Sequence, residues 1–313
     1  MMTMIGTPRL ADAGFHPGEL AMQRRAGVTQ DAARLAGMFG PVTLTAGMAG
    51  FLSDRTFLVV SGRDRSGHLW TSPLIGRPGF LEVLSDTFVA VHAVIPAGDP
   101  LRGLQTGQKI GMVTVDFATR RRVRINGILT VSGGDLLVVE VEQAYGNCPQ
   151  YIQQRVLVPA EIEGAGSDHA RHGSTLSTED HELIRASDTF FLGTVNPERG
   201  SDASHRGGPN GFVRSDEHGL WWPDYQGNNL FNSFGNIAVN PEAALLFIDF
   251  ATGRMLQLSG TTRIEWGEPG RPGDDGHTGR IARFTLQRLV AGQVLPAQEI
   301  THTPYPRNLA LTD

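Results

Sequence analysis

Asp116-Phe117-Ala118-Thr119 and Asp249-Phe250-Ala251-Thr252 are the same four residues in the same order, 133 positions apart (249 − 116). Self-similarity at a fixed spacing marks a duplicated structural unit. Working outward in that register, Arg121 meets Arg254, Val123 meets Leu256, Ile125 meets Leu258 and Gly127 meets Gly260. Upstream, Thr56-Phe57 meets Thr189-Phe190 and Gly67 meets Gly200, and after a one-residue gap Gly79-Phe80 meets Gly211-Phe212. The chain therefore reads as two copies of one unit.

Each copy opens as strand, polar turn, strand: Phe57 to Val60, a turn through Gly67, then Leu69 onward, matched by Phe190 to Val195, a turn to Gly200, then Ala203 onward. Short runs rich in Val, Ile, Leu, Phe and Thr follow at Thr87 to Ile95, Ile110 to Phe117, Val123 to Val131 and Leu136 to Ala144. In the second copy they lie at Gly219 to Trp222, Ala244 to Asp249, Met255 to Glu265 and Ile281 to Val290. Such runs, in a chain with 39 glycines and 18 prolines, predict a mainly β protein with a few helices. Around six short antiparallel strands per unit fit a small barrel, which leaves few sheet edges exposed. Helices are expected at Gly18 to Ala26, Asp31 to Met38, Thr178 to Ala186 and Leu230 to Asn240.

The Gly- and Ser-rich stretch 161–177 has linker composition, so we expect a first unit over 1–160 with an N-terminal helical segment, and a second over 178–313. Gly267 to Gly279 is expected to be an exposed loop. A net charge of -5 without a lysine-rich tract argues against nucleic acid. No apolar stretch is long enough to span a bilayer, and Met1 to Leu10 lacks the pattern of an export signal. A single cysteine, Cys148, excludes an internal disulfide and a cysteine-based zinc site, so the cytoplasm is the expected location.

Common catalytic signatures fail. His181-Glu182 lacks the second histidine of a zinc-protease helix, Gly103 to Lys109 has the wrong spacing for a phosphate-binding loop, and no Gly-x-Ser-x-Gly elbow occurs. What remains is Ser204-His205-Arg206-Gly207-Gly208 leading to Gly211-Phe212-Val213, followed by Trp222-Pro223-Asp224-Tyr225-Gln226-Gly227-Asn228-Asn229 and Ser233. A hydroxyl, an imidazole and a forked guanidinium at a strand end can converge on an anionic oxygen, and glycines let backbone N–H groups approach. Asn228, Asn229 and Ser233 fall at the start of an expected helix, whose N-terminus also favours an anion. The same residues would equally serve as a hairpin turn and a helix cap.

This ordered series, continued by Asn232-Ser233, Asn240-Pro241 and Leu245 to Phe250, resembles the core of the pyridoxamine 5'-phosphate oxidase-like proteins. Phe15-His16-Pro17-Gly18-Glu19, Gln23 to Gly27 and Tyr145 to Gln153 are similar to a long bacterial subgroup of that family. The resemblance implies two tandem split β-barrels forming a pseudo-dimer, with FMN bound between them and its phosphate held by Ser, Arg and backbone groups. The cofactor-binding residues it implies are Ser204, His205, Arg206, Gly207, Trp222, Asp224, Tyr225, Gly227, Asn228, Asn229 and Ser233. Many relatives carry arginines after the Gly-Asn pair, where this chain has Asn229 and Leu230.

In the first unit the corresponding stretch, Thr71 to Phe80, has lost the motif, so that unit is expected to supply an altered pocket or only the opposing wall. Arg121, Arg122 and Arg124 are either phosphate contacts or an exposed strand face. Cys148 is either a thiol beside the cofactor or a small buried side chain in a turn. The expected function is that of an FMN-dependent oxidoreductase acting on a small molecule. The alternative is a non-catalytic module holding flavin or haem on the same fold. Related barrels commonly pair, so a homodimer or an intramolecular pseudo-dimer is expected.

Overall fold

The structure is a computed structural model that describes residues 14–39, 43–159, 170–293 and 297–312. The N-terminal segment carries helices α1 (Pro17–Arg25), α2 (Thr29–Ala33) and α3 (Ala46–Ser53), with a 3-10 turn at Ala36–Phe39 where a longer helix was expected. The first unit continues with β1 (Phe57–Arg63), β2 (Leu69–Ile75), β3 (Leu81–Ser85), β4 (Phe88–His92), β5 (Lys109–Asp116), β6 (Arg121–Gly133) and β7 (Leu136–Asn147). After β8 (Gln154–Pro159) and β9 (Arg171–Gly173) comes the second unit. It comprises α4 (Thr178–Ala186), β10 (Thr189–Asn196), β11 (Gly200–Gly207), β12 (Arg214–Asp216), β13 (Gly219–Pro223), α5 (Asn232–Val239), β14 (Glu242–Ile248), β15 (Arg254–Trp266) and β16 (Arg280–Gln293). The chain ends on β17 (Ala297–Thr303), which pairs with β8. Residues 160–169 of the expected linker lie outside the described residues, and β9, just after them, pairs with β16.

The two units have one topology. The first sheet runs β2-β1-β5-β6-β7-β4-β3 and the second β11-β10-β14-β15-β16-β13-β12, which is the same order element for element. The fold is thus mainly β, two tandem split barrels forming a pseudo-dimer. Each barrel has its own apolar interior, around Leu58, Val60 and Ile125 in the first and Phe190, Leu192 and Leu258 in the second. A third cluster belongs to both: Phe57, Val59, Val113, Val115 and Phe117 pack on Phe191, Leu246, Ile248 and Phe250. Burial of these aromatic and branched side chains at about 1.5 to 3 kcal/mol each is what joins the barrels.

Strand pairing corrects the repeat register in the first hairpin. Val59 pairs with Val113 and Phe191 pairs with Leu246, so Val59 corresponds to Phe191 and Leu58 to Phe190, an offset of 132 (190 − 58). The identical words Thr56-Phe57 and Thr189-Phe190 are therefore one residue out of structural register. A one-residue shift exchanges strand faces: Phe57 lies in the shared core and Phe190 inside its own barrel. Across β5 and β6 the offset is 133, as the DFAT words require.

The barrels approach closely where side chains are missing. A Cβ on Gly193 would overlap the Ser61 and Thr71 hydroxyls, and one on Gly111 would overlap the Asp202 backbone. Gly193 and Ser61 occupy corresponding positions, so they meet on the pseudo-two-fold axis. The loop 267–279 is not simply exposed as expected: Asp274 is buried and accepts from the backbone N–H groups of Gly270, Thr278 and Gly279. Asp275 is buried against Arg214 and Thr312. Its glycines and acids build an internally bonded turn that delivers Arg280 to the start of β16.

Candidate functional site

The cleft lies on the seam. Strand alternation turns Arg122, Arg124 and Asn126 of β6 to one face and Val123 and Ile125 to the other. The apolar pair enters the first barrel, and the polar three meet β11 of the second unit. Arg121, on the wrong face, packs over Phe51 instead. So of the three arginines considered for a phosphate, two line the cleft and one does not.

From the second unit, β11 contributes His205, Arg206 and Gly207, and β13 with the turn after it contributes Trp222, Asp224 and Tyr225. Gly227, Asn228 and Asn229 form the rim, and Ser233 stands in the first turn of α5. Ser204 is the one implied residue that does not reach the cleft. It is fully buried behind it, donating to the Leu192 carbonyl and lying 3.2 Å from the Ser233 hydroxyl. Ser204 to Gly207 lie on a strand rather than in a hairpin turn.

The charges are paired across elements. Arg124 Nη1 lies 3.1 Å from Asp202 Oδ2 and donates to Asn232 Oδ1 at 3.1 Å. Arg280 Nε donates to Asp224 Oδ2 at 2.8 Å, and Arg206 stands 3.9 Å from Asp224 Oδ1. Arg122 Nη1 lies 2.9 Å from His205 Nδ1, which must therefore accept. That fixes a neutral imidazole with its proton on Nε2. Burial, reinforced by the surrounding arginines, holds His205 well below the usual histidine range. Burial also lowers the proton affinity of Arg122 and Arg206 and raises that of Asp202 and Asp224.

Four guanidinium groups thus face two carboxylates, a surplus of two positive charges in a site walled by Phe212, Trp222, Phe231 and Phe234. Nε of Arg122, Arg124 and Arg206 is buried without a hydrogen-bond acceptor among the described residues. Unsatisfied buried donors of this kind suit a multivalent anion. The cavity has a volume of about 130 Å³ and opens to the surface.

The mouth is aromatic. Tyr151, from the segment leaving the first unit, has φ 62 and packs in tilted contact between Tyr225, with centroids 5.0 Å apart, and Tyr305, at 5.6 Å. Its hydroxyl donates to the Gln226 carbonyl at 3.1 Å. Gly207 admits it, because a Cβ there would overlap the Tyr151 carbonyl oxygen. Cys148 is half-buried on the same wall.

The N-terminal motif is a buttress for α5. His16 caps α1 and Glu19 completes the capping box. Gly18 and Gly235 let the two helices touch at the backbone. His16 Nε2 donates to Asn236 Oδ1 at 3.1 Å, and Glu19 Oε1 accepts from Asn232 at 3.3 Å. Asn232 in turn accepts from Arg124, so the first helix positions a residue of the cleft.

Residues 176–271 match the family model described as pyridoxamine 5'-phosphate oxidase. No curated protein matches the chain. Among solved structures, it is similar to HupZ of Group A Streptococcus at 13% identity, over 42% of this chain and 99% of that one, with a TM-score of 0.32. It is similar to HutZ, a haem storage protein of Vibrio cholerae, at 15% identity, over 37% and 94%, with a TM-score of 0.29. It is also similar to an FAD-binding protein of Mesorhizobium loti at 10% identity, over 39% and 96%, with a TM-score of 0.28. The stretch that matches the pyridoxamine 5'-phosphate oxidase model is the one that carries the cleft residues of β11 and β13.

Proposed function

We propose that this chain binds FMN in the seam cleft and acts as a flavin-dependent oxidoreductase on a small-molecule substrate. The observation that carries the reading is the two-charge surplus of Arg122, Arg124, Arg206 and Arg280 over Asp202 and Asp224. A phosphomonoester carries about -1.5 to -2 at neutral pH, which matches that surplus. Arg206, Arg122, Ser233 and the first backbone N–H groups of α5 hold the phosphate in this reading. Trp222, Tyr225 and Tyr151 flank the ring. The missing arginines at 229 and 230 are offset by cations from other strands, Arg122 and Arg124 on β6 and Arg280 on β16.

When bound, FMN supplies hydride or electron transfer, and the residues of the chain position it and exclude water. Haem carriage, the other reading of the sequence, would call on His205 as the imidazole lining the cleft, and its Nδ1 is already held by Arg122. The test is the absorption spectrum of the purified protein with and without added FMN, repeated on Arg206→Ala. Flavin bands that weaken in the variant support the reading. A haem spectrum, or no uptake of FMN, overturns it.

A further inference from the structure

A duplicated fold predicts two equivalent sites, one on each side of the pseudo-two-fold axis. Corresponding positions can be followed through the strand pairing, and they have diverged together. Where the cleft has Arg206, paired with Phe190, the counterpart has Leu74, paired with Leu58. Arg122 corresponds to Met255, Arg124 to Gln257 and Asn232 to Asp99, each 133 residues apart. Tyr145, which pairs with Arg124, corresponds to Val290, which pairs with Gln257. At these positions three cations have been lost, and the carboxylate of Asp202 is itself replaced, its counterpart being Trp70.

The geometry at the counterpart is nevertheless retained. Arg124 reaches across the seam to Asn232 at 3.1 Å, and Gln257 Nε2 reaches across it to Asp99 Oδ2, also at 3.1 Å. Gln257 Nε2 further lies 2.8 Å from Ser72 Oγ and 3.1 Å from the Thr71 carbonyl, and Ser72 donates to Asp99 Oδ1 at 2.7 Å. The side chains of Gln257, Ser72 and Asp99 are buried. Leu74 and Val290 fill the first barrel's interior, and Met255 joins the shared core. The place that would receive an anion is taken by apolar packing and by the hydrogen bonds among Gln257, Ser72 and Asp99.

We propose that the chain carries one anion-binding cofactor site, and that its symmetry-related counterpart has become a clamp between the barrels. This rests on the reading of the seam cleft as the FMN site. A clamp in place of a second site leaves the two halves specialised: the second unit presents the binding strand β11, and the first supplies β6 as the opposing wall. Gln257 Nε2, Ser72 Oγ and both Asp99 carboxylate oxygens are bonded to one another at the seam, so removal of the Gln257 amide leaves buried partners unpaired.

Equilibrium dialysis of the intact chain against FMN counts the sites. One FMN per chain is expected, falling to none in Arg206→Ala, and two per chain would overturn the inference. If FMN is refused, the flavin reading fails, and dialysis against inorganic phosphate then counts anion sites directly. One phosphate per chain keeps the present inference, whereas none or two overturns it. Gln257→Leu tests the clamp: it should lower the urea midpoint of unfolding while the site count stays at one. An unchanged midpoint, or loss of FMN binding from a variant that remains folded, would show that Gln257 is not a clamp.

Discussion

Arg124 on β6 of the first unit and Asp202 on β11 of the second stand 3.1 Å apart, with side chains only 11% and 3% exposed. A buried ion pair contributes modestly as a pair but is costly to halve, about 3 to 5 kcal/mol for the lone charge that remains. Arg124→Ala, leaving Asp202 with Asn126, should therefore reduce the urea unfolding free energy by about that amount. Arg124→Met combined with Asp202→Leu should recover much of the loss. Equal stability of single and double variants would show that the seam does not depend on this pair.

Arg122 behaves differently because it has no carboxylate partner among the described residues; it contacts His205 through Nη1, and its Nε is unsatisfied. Arg122→Met installs the residue found at the corresponding position 255 and removes a buried, uncompensated charge. Stability should hold or rise. FMN binding should weaken by roughly tenfold to a hundredfold, the effect of about 1.5 to 3 kcal/mol for a hydrogen bond to a charged group. Isothermal titration beside urea unfolding separates the two effects, and a loss of stability without loss of affinity would sink the assignment of Arg122 to the ligand.

How far the sequence foretold this arrangement depends on which forces act locally. The duplication was legible because turn glycines and alternating apolar runs are local signals, and the DFAT words fixed the register of β5 and β6. The hairpin register was misread by one because Thr-Phe recurs at both starts, whereas the faces of Phe57 and Phe190 are decided by the opposite barrel. Arg121, Arg122 and Arg124 were read as one group, although strand alternation by itself separates Arg121 from the other two. Alternation did not say that the face of Arg122 and Arg124 was the seam, since that is a tertiary fact. Arg280 gave no local signal: the turn organised by Asp274 brings it to Asp224, 56 residues away in sequence. Ser204 was read as a ligand contact from its place in the motif, but strand alternation turns it behind the cleft toward Ser233.

Gly207→Ala probes the mouth without changing a charge. The added methyl would overlap the Tyr151 carbonyl, held in place by the left-handed backbone of Tyr151 and by ring contacts with Tyr225 and Tyr305. Overpacking of this kind costs about 1 to 3 kcal/mol. We expect Tyr151 to be displaced, with weaker FMN binding and altered quenching of flavin fluorescence. Unchanged binding and quenching would mean that Tyr151 does not border the cofactor.

His16 and Glu19 give a pH test of the buttress beneath α5. Both are buried, 3.7 Å apart. Burial holds His16 down at about 4, with Arg199 adding to the effect, and pushes Glu19 up to about 7. Glu19 keeps a proton that the unfolded chain releases above about 4.5, so its contribution is fully present below that pH and is lost as pH rises through 7. His16 lacks a proton that the unfolded chain takes up below 6.5, so its contribution is fully present above that pH and is lost as pH falls through 4. Between about 4.5 and 6.5 the two slopes cancel, because folding in effect moves one proton from the histidine to the glutamate. Removing either partner should unmask the other. Relative to the unsubstituted protein, Glu19→Gln should lose stability on acidification across that window, by about 1.4 kcal/mol per pH unit at most. His16→Asn, which retains a capping side chain, should lose it in the opposite direction, as pH rises. Urea midpoints measured at half-unit steps from pH 4.5 to 7 would show the two variants diverging with opposite slopes, and curves parallel to the unsubstituted protein would mean that neither group is held in its unusual protonation state.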